Sequence, residues 1–293
     1  MTEQQTGSPP VPVCYRHTGR ETYVRCTRCS RPICPDCMNE ASVGFQCPEC
    51  VNAGARTVRS ARTAFGGGLH GGRGVVTISL IAANVLVYVL ILVGGGAAAA
   101  IGRGNSFVAG AVTQLEIQLG VLPAAVAGGE YWRLVTAMFV HFSILHLAMN
   151  MWVLWVLGRY LERSLGPGRF LALYVISGIG GNVAVYLFGS GLAGGASTAV
   201  FGLFAAMFFV NRRLGLSSSS VIVLIVINLA FTFLVPNISI LGHLGGLVTG
   251  AVAGIGLAYA PRQHRSLVQF GVLGGILLVL ILLTVARTAS LTT

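Results

Sequence analysis

Four polar side chains stand out inside the apolar runs of this 293-residue sequence: His146, Asn150, Ser197 and His243. A serine hydroxyl is a weak nucleophile until an adjacent imidazole takes its proton, and the oxyanion that then develops needs preorganised donors. Ser197 and His243 are therefore the candidate nucleophile and general base. His146, Asn150 and the backbone amide of Ser197 are the candidate oxyanion donors. The one aspartate is Asp36, and the acids beyond residue 50 are Glu116, Glu130 and Glu162, none of them placed by the sequence beside His243. The expected unit is a Ser-His dyad rather than a triad. A second set of reactive residues occupies the first fifty positions, as four pairs with a two-residue gap: Cys14/His17, Cys26/Cys29, Cys34/Cys37 and Cys47/Cys50.

A two-residue gap lets both members of a tight turn reach one ion, and eight ligands suffice for two closed tetrahedral zinc sites. All seven cysteines lie in these pairs; an odd count, clustered, argues against a disulfide framework. A redox CxxC site is the weaker reading, because no βαβ pattern surrounds the pairs. Sequential pairing groups Cys14, His17, Cys26 and Cys29 apart from Cys34, Cys37, Cys47 and Cys50. Cross-brace pairing joins first to third and second to fourth, and spacing alone leaves both open. Over about residues 13 to 51 the module resembles B-box-type zinc fingers, a resemblance that favours the cross-brace. Closed sites leave no position for a substrate, so a structural or partner-binding role is expected, with a cytoplasmic protein as the partner. The arginines among the ligands read as a solvated basic face beside a membrane, not as a nucleic-acid surface.

The elements that must position the dyad are membrane spans. Charged residues make up 9% of the chain against about 25% in a soluble domain, which excludes an ordinary soluble enzyme. Apolar runs predict seven helices, at about 75 to 93, 141 to 158, 169 to 188, 196 to 210, 219 to 235, 241 to 259 and 267 to 285. Residues 94 to 140 are too polar and broken to form another. The domain expectation is a zinc module over 1–51, a flexible basic, glycine-rich linker over 52–74 with His70 inert, a six-helix core over 75–260, and a loop with a seventh helix over 261–293. The amino terminus carries no apolar stretch of the signal-peptide kind. Arginines at 56–73, 159–169, 212–213 and 262–265 mark alternate ends of successive spans, so the positive-inside rule sets the amino terminus in the cytoplasm and the carboxy terminus outside.

With that orientation the second, fourth and sixth spans run in one direction, and His146, Asn150, Ser197 and His243 fall at one depth in the outer half of the bilayer. His146 and Asn150 share a helix face, as do His243, Gly246 and Gly250. Gly246-x-x-x-Gly250 is the spacing that allows close helix approach. If the partner is the fourth span, His243 reaches Ser197 and Phe201 packs on its imidazole. The fourth run is short, roughly 22 Å of helix, so its outer end is sunk and its glycine-rich approach must be enclosed or wet.

These residues resemble the rhomboid intramembrane serine proteases over about residues 75 to 260. The linked motifs are Tyr131-Trp132-Arg133, His141-x4-His146-x3-Asn150, Gly195-Ala196-Ser197 with Phe201-Gly202, and His243-x-x-Gly246-x-x-x-Gly250. The resemblance implies an all-α polytopic fold with a six-helix core. It implies Ser197 as nucleophile, His243 as general base and acid, and His146 with Asn150 in the oxyanion hole. It also implies a fifth span that gates entry of a substrate helix, a stabilising Arg133 and a structural Glu162. Phe201 stands where many members have tyrosine, and Ser164 where an arginine is usual.

Taken singly, Ser197 is more often a packing serine, His243 a satisfied core histidine and Asn150 an interhelical clasp. Their convergence reverses those odds. His141 is read as structural and His264 as solvated. HExxH is absent, which disfavours a metalloprotease. A transporter lacks the intramembrane acids that coupling needs. The expected activity is a serine endopeptidase acting on transmembrane proteins in the cell membrane, with two structural zinc ions and no catalytic cofactor. The alternative is a catalytically inactive relative that binds transmembrane helices.

Overall fold

The computed structural model describes residues 10–57, 62–68, 74–95 and 112–292. His70 and parts of the expected linker and first loop lie outside the described residues. The chain divides into two compact units, Met1–Ser60 and Ala61–Thr293.

The first unit is built of turns. A 3-10 turn at Pro35–Cys37 precedes a two-stranded antiparallel ribbon, β1 (Asn39–Glu40) with β2 (Phe45–Gln46), and then α1 (Pro48–Thr57). Gly44, at φ +66°, supplies the left-handed residue the ribbon's turn needs. Its buried apolar cluster is Cys14, Cys26, Cys34, Cys37 and Cys47 around one aliphatic residue, Ile33. One aliphatic side chain is far too little core to hold a chain this short. α1 lies within this unit and runs to Thr57.

The second unit contains a helix at each of the seven expected apolar runs: α2 (Val75–Gly95), α6 (Ile144–Leu165), α7 (Pro167–Phe188), α8 (Ser197–Leu214), α9 (Ser219–Leu234), α10 (Ile240–Tyr259) and α11 (Arg265–Thr292). Five of them, all but α8 and α9, are long and apolar enough to cross a membrane. The fold is an all-α polytopic membrane protein. The second run was expected from 141; α6 starts at 144 because Ser143 caps it, its hydroxyl accepting from the His146 amide at 3.1 Å.

Between α2 and α6 lie three short helices, α3 (Gln114–Leu119), α4 (Pro123–Ala127) and α5 (Arg133–Thr136). Buried Arg133 ties them together: it pairs with Glu130 and donates to the carbonyls of Ile117 and Gly120. Glu162, in the last turn of α6, accepts from the amides of Val76 and Thr77 and from the Thr77 hydroxyl, at 3.0, 2.9 and 2.7 Å. It thereby caps α2 from another helix.

Flexibility across the whole expected linker does not hold for residues 62–68. Phe65 there is buried, its carbonyl accepts from Gln269 Nε2 at 3.2 Å, and the Ala64 carbonyl accepts from Arg265 at 2.8 Å. A Cβ on Gly67 would stand 2.0 Å from the Leu165 carbonyl oxygen. The glycine tract was read as slack, yet here its missing side chain permits the backbone to dock.

The core of the unit is the α8–α10 crossing. A Cβ on Gly246 would lie 1.9 Å from the Thr198 carbonyl oxygen, one on Gly250 2.2 Å from the Gly202 Cα, and one on Gly254 2.7 Å from the Ala206 Cα. Small residues at every fourth position on both helices bring the two backbones into contact. The partner of the Gly246-x-x-x-Gly250 face is thus the fourth span, as the sequence suggested.

Candidate active site

The glycine seam fixes where the reactive side chains fall. Ser197 is the first residue of α8, and His243 lies in the first turn of α10, where the Ser239 hydroxyl caps the helix by accepting from the Gly242 amide at 3.1 Å. Phe201, one turn along α8 from Ser197, stacks on the His243 ring with centroids 4.2 Å apart and planes 19° from parallel. Ser197, His243, His146 and Asn150 all line one cavity of about 320 Å³. Among the described residues none hydrogen-bonds the Ser197 hydroxyl. Ser197 and His243 share the cavity without a direct bond.

The turn before Ser197 is held from three sides. Gly195 adopts φ +138°, its amide donates to the Ala137 carbonyl at 2.8 Å, and the Ala196 amide reaches His141 Nε2 at 3.5 Å. The Val121–Ala193 backbone pair adds bonds of 2.8 and 2.9 Å. Glycine is required at 195 for a second reason: a Cβ would meet His146 Nε2 at 2.9 Å and Ser197 Oγ at 3.3 Å. Glycine at 195 thus keeps a side chain from between those two atoms.

His146 is held between His141, edge-on at 4.9 Å, and Phe142, stacked at 6.3 Å. Its Nδ1 is buried with no partner among the described residues. Asn150 donates one amide hydrogen to the His146 carbonyl at 2.9 Å, which leaves the second for the cavity. His141 is fully buried against the turn that precedes Ser197.

Several cavity residues escaped the sequence reading. Asn182 on α7 donates to the Leu134 carbonyl at 2.9 Å and anchors the loop. Asn228 and Thr232 on α9 line the same cavity. Thr232 is buried, and its oxygen stands 2.7 Å from His243 Nδ1 and 2.7 Å from the Asn228 carbonyl oxygen. The signal was there: two polar residues four apart in an apolar helix mark one face.

The first unit brings its eight ligands into two groups, Cys14/His17/Cys34/Cys37 and Cys26/Cys29/Cys47/Cys50, each with ligand atoms within 4.8 Å of one another. The pairing is the cross-brace. His17 Nδ1 lies 3.9, 3.2 and 3.5 Å from the sulfurs of Cys14, Cys34 and Cys37, and Cys29 Sγ lies 3.7 Å from Cys47 Sγ. The edges of a tetrahedron around zinc are about 3.5 Å for nitrogen to sulfur and about 3.8 Å between sulfurs. Both groups fit a metal ion of that size. Around them Arg20 pairs with Asp36, and Arg31 pairs with Glu49 and donates to Cys29 Sγ at 3.3 Å. Those bonds hold the Arg31 guanidinium's pKa above its ordinary value, the contact with Cys29 first.

Comparison with known proteins bears on the second unit. A Rhomboid domain matches residues 128–260. "Rhomboid-like protease 2" of Toxoplasma gondii is 31% identical over 199 residues, 65% of this chain and 67% of its own length. The chain belongs to the rhomboid family. "Rhomboid protease GluP" of Bacillus subtilis is 36% identical over 206 residues, and "RHOMBOID-like protein 6, mitochondrial" of Arabidopsis thaliana 36% over 183. These matches cover 68% and 58% of this chain, but the chain spans 38% and 59% of those relatives' lengths. The rhomboid match begins after the first unit, whose cysteine clusters stand on their own geometry.

Proposed function

We propose that this chain is an intramembrane serine endopeptidase that cleaves transmembrane segments of membrane proteins with a Ser197–His243 dyad. The observation that carries this reading is the cavity shared by the two groups, with Phe201 stacked on the imidazole and His146 and Asn150 in the same lining. Ser197 Oγ attacks the scissile carbonyl carbon as its proton passes to His243. The oxyanion accepts from His146, the free amide hydrogen of Asn150 and the Ser197 backbone amide. Collapse breaks the C–N bond, His243 protonates the leaving amine, and water activated by the same imidazole hydrolyses the acyl-enzyme. A substrate helix must unwind to expose a carbonyl, so small or helix-breaking residues near the cut are expected.

The dyad opens toward the outer side, with the amino terminus cytoplasmic and the carboxy terminus extracellular. In the domain reading, 1–51 is a B-box-like module holding two structural zinc ions, 52–74 a basic linker, 75–260 the protease core and 261–293 the appended helix. The module meets a cytoplasmic protein partner. The unmade bond at Ser197 favours one alternative, a catalytically silent relative that only binds transmembrane helices.

Reconstituted protein and a model transmembrane substrate separate the two. The wild type should release two fragments, and Ser197→Ala should lower the rate by about 10³-fold or more. Absence of cleavage by the wild type would leave the helix-binding reading in its place, and equal cleavage by the variant would remove Ser197 as the nucleophile.

A further inference from the structure

The Thr232 hydroxyl touches both the Asn228 carbonyl and His243, and the two contacts together fix a proton. Two oxygens 2.7 Å apart, Thr232 Oγ1 and the Asn228 carbonyl oxygen, repel unless a hydrogen lies between them. A carbonyl carries none, so it is the hydroxyl proton of Thr232. That commits the one proton Thr232 has. The 2.7 Å contact between Thr232 Oγ1 and His243 Nδ1 also needs a hydrogen, and it must come from the ring. We propose that Thr232 is a positioning residue that holds neutral His243 in its Nδ1–H tautomer, leaving the Nε2 lone pair as the base for Ser197.

This rests on the protease reading for its catalytic meaning, though not for its chemistry. An aspartate would perform the same orienting task with a charge; here, with no acid on α8, α9 or α10, a neutral hydroxyl backed by a helix carbonyl performs it. His243 is enclosed by Phe201 on its face, Thr232 at Nδ1 and the cavity beyond. The proton taken from Ser197 makes the ring doubly protonated, and Thr232 still accepts from Nδ1–H in that state. The contact therefore serves both states of the base.

The contact also helps to attach α9. Of that helix the structure buries Val221 near one end and Thr232 near the other, while Ile222, Val226, Ile227 and Phe233 are exposed. A lightly packed helix thus carries the residue that sets the tautomer of the base.

Two readouts test the proposal. In kinetics, Thr232→Val, which keeps shape and removes the hydroxyl, should lower kcat on the order of 10–100-fold with KM little changed, and Thr232→Ser should restore most of it. Nitrogen NMR of ring-labelled histidine in the Ser197→Ala background needs no activity. It should find His243 protonated at Nδ1 with Thr232 present and shifted toward the Nε2–H form in Thr232→Val. A Nε2–H ring in the unaltered Thr232 background, or a tautomer indifferent to Thr232→Val, overturns the inference even if the protein cleaves. An inactive protein with the expected tautomer shift overturns the protease reading and leaves the inference intact. A mere packing role would give equal losses in Val and Ser variants, and that also overturns it.

Discussion

The two units gather distant residues by opposite means. In Met1–Ser60 the interior is cysteine with one isoleucine, and the side chains that converge are the ligands themselves. In Ala61–Thr293 the side chains that converge are passengers. Ser197 and His243 are 46 positions apart and line one cavity because Gly202, Gly246 and Gly250 have no side chains to keep two backbones apart. One unit is built around side chains placed to hold a metal ion, and the other is held by what its seam lacks. Removing an ion should therefore undo the first and leave the second, whereas adding a methyl group should do the reverse.

Metal removal should have the largest effect. Structural zinc supplies about 10–16 kcal/mol in small ligand-built modules, more than any packing term available to Ile33 and its neighbours. Stripping the purified chain with a strong chelator should abolish the amide dispersion of residues 10–57 while the helical unit keeps its melting temperature. Metal analysis should find about two zinc ions per chain before treatment, and about one in Cys26→Ser. A module that stays folded without metal would remove the contrast.

The converse change is Gly250→Val. A Cβ at that position lies 2.2 Å from the Gly202 Cα, and the obstructing atom is backbone, so the helices must separate. Overpacking a tight site costs upward of about 3 kcal/mol. The expected outcome is a lower melting temperature of the helical unit, cleavage lost with the separation of α8 from α10, and an unchanged zinc content. Retained cleavage would mean that the seam does not set the spacing of the dyad.

How much of this was legible in the sequence follows the same division. Ligand pairs two residues apart announce themselves, and so do a lone serine and histidines in apolar runs, because polar groups there are costly. The cross-brace was not legible in the spacing, although the B-box resemblance favoured it. Ligand spacing is the same for either pairing, and the choice is made by bonds between knuckles, from the Tyr15 amide to the Pro32 carbonyl at 3.0 Å and from the Thr27 amide to the Phe45 carbonyl at 2.9 Å. Thr232 was hidden because a threonine in an apolar helix ordinarily bonds its own preceding turn. It does so here as well, and only the neighbouring α10 gives that bond a consequence. Gly67 was misread because glycine signals both slack and close approach, and which applies depends on a carbonyl a hundred residues away, that of Leu165.

The smallest of the effects concerns a contact that belongs to neither extreme. Glu162 is held by packing, yet it acts as a ligand does, accepting three bonds from the start of α2 with two oxygens. In Glu162→Gln the amide oxygen can keep both Thr77 donors, and the NH2 group must then face the Val76 amide. One hydrogen bond and the charge at a helix start are lost, about 2 kcal/mol together. The helical unit should melt a few degrees lower. Glu162 is in the last turn of α6 and His146 in the first, so cleavage per folded molecule should stay within about twofold, a local end effect by the dipole's short reach. A large loss of activity in the folded variant would mean that the α2 cap is coupled to the site through α6, and that the helical unit is less rigid along its length than the glycine seam implies.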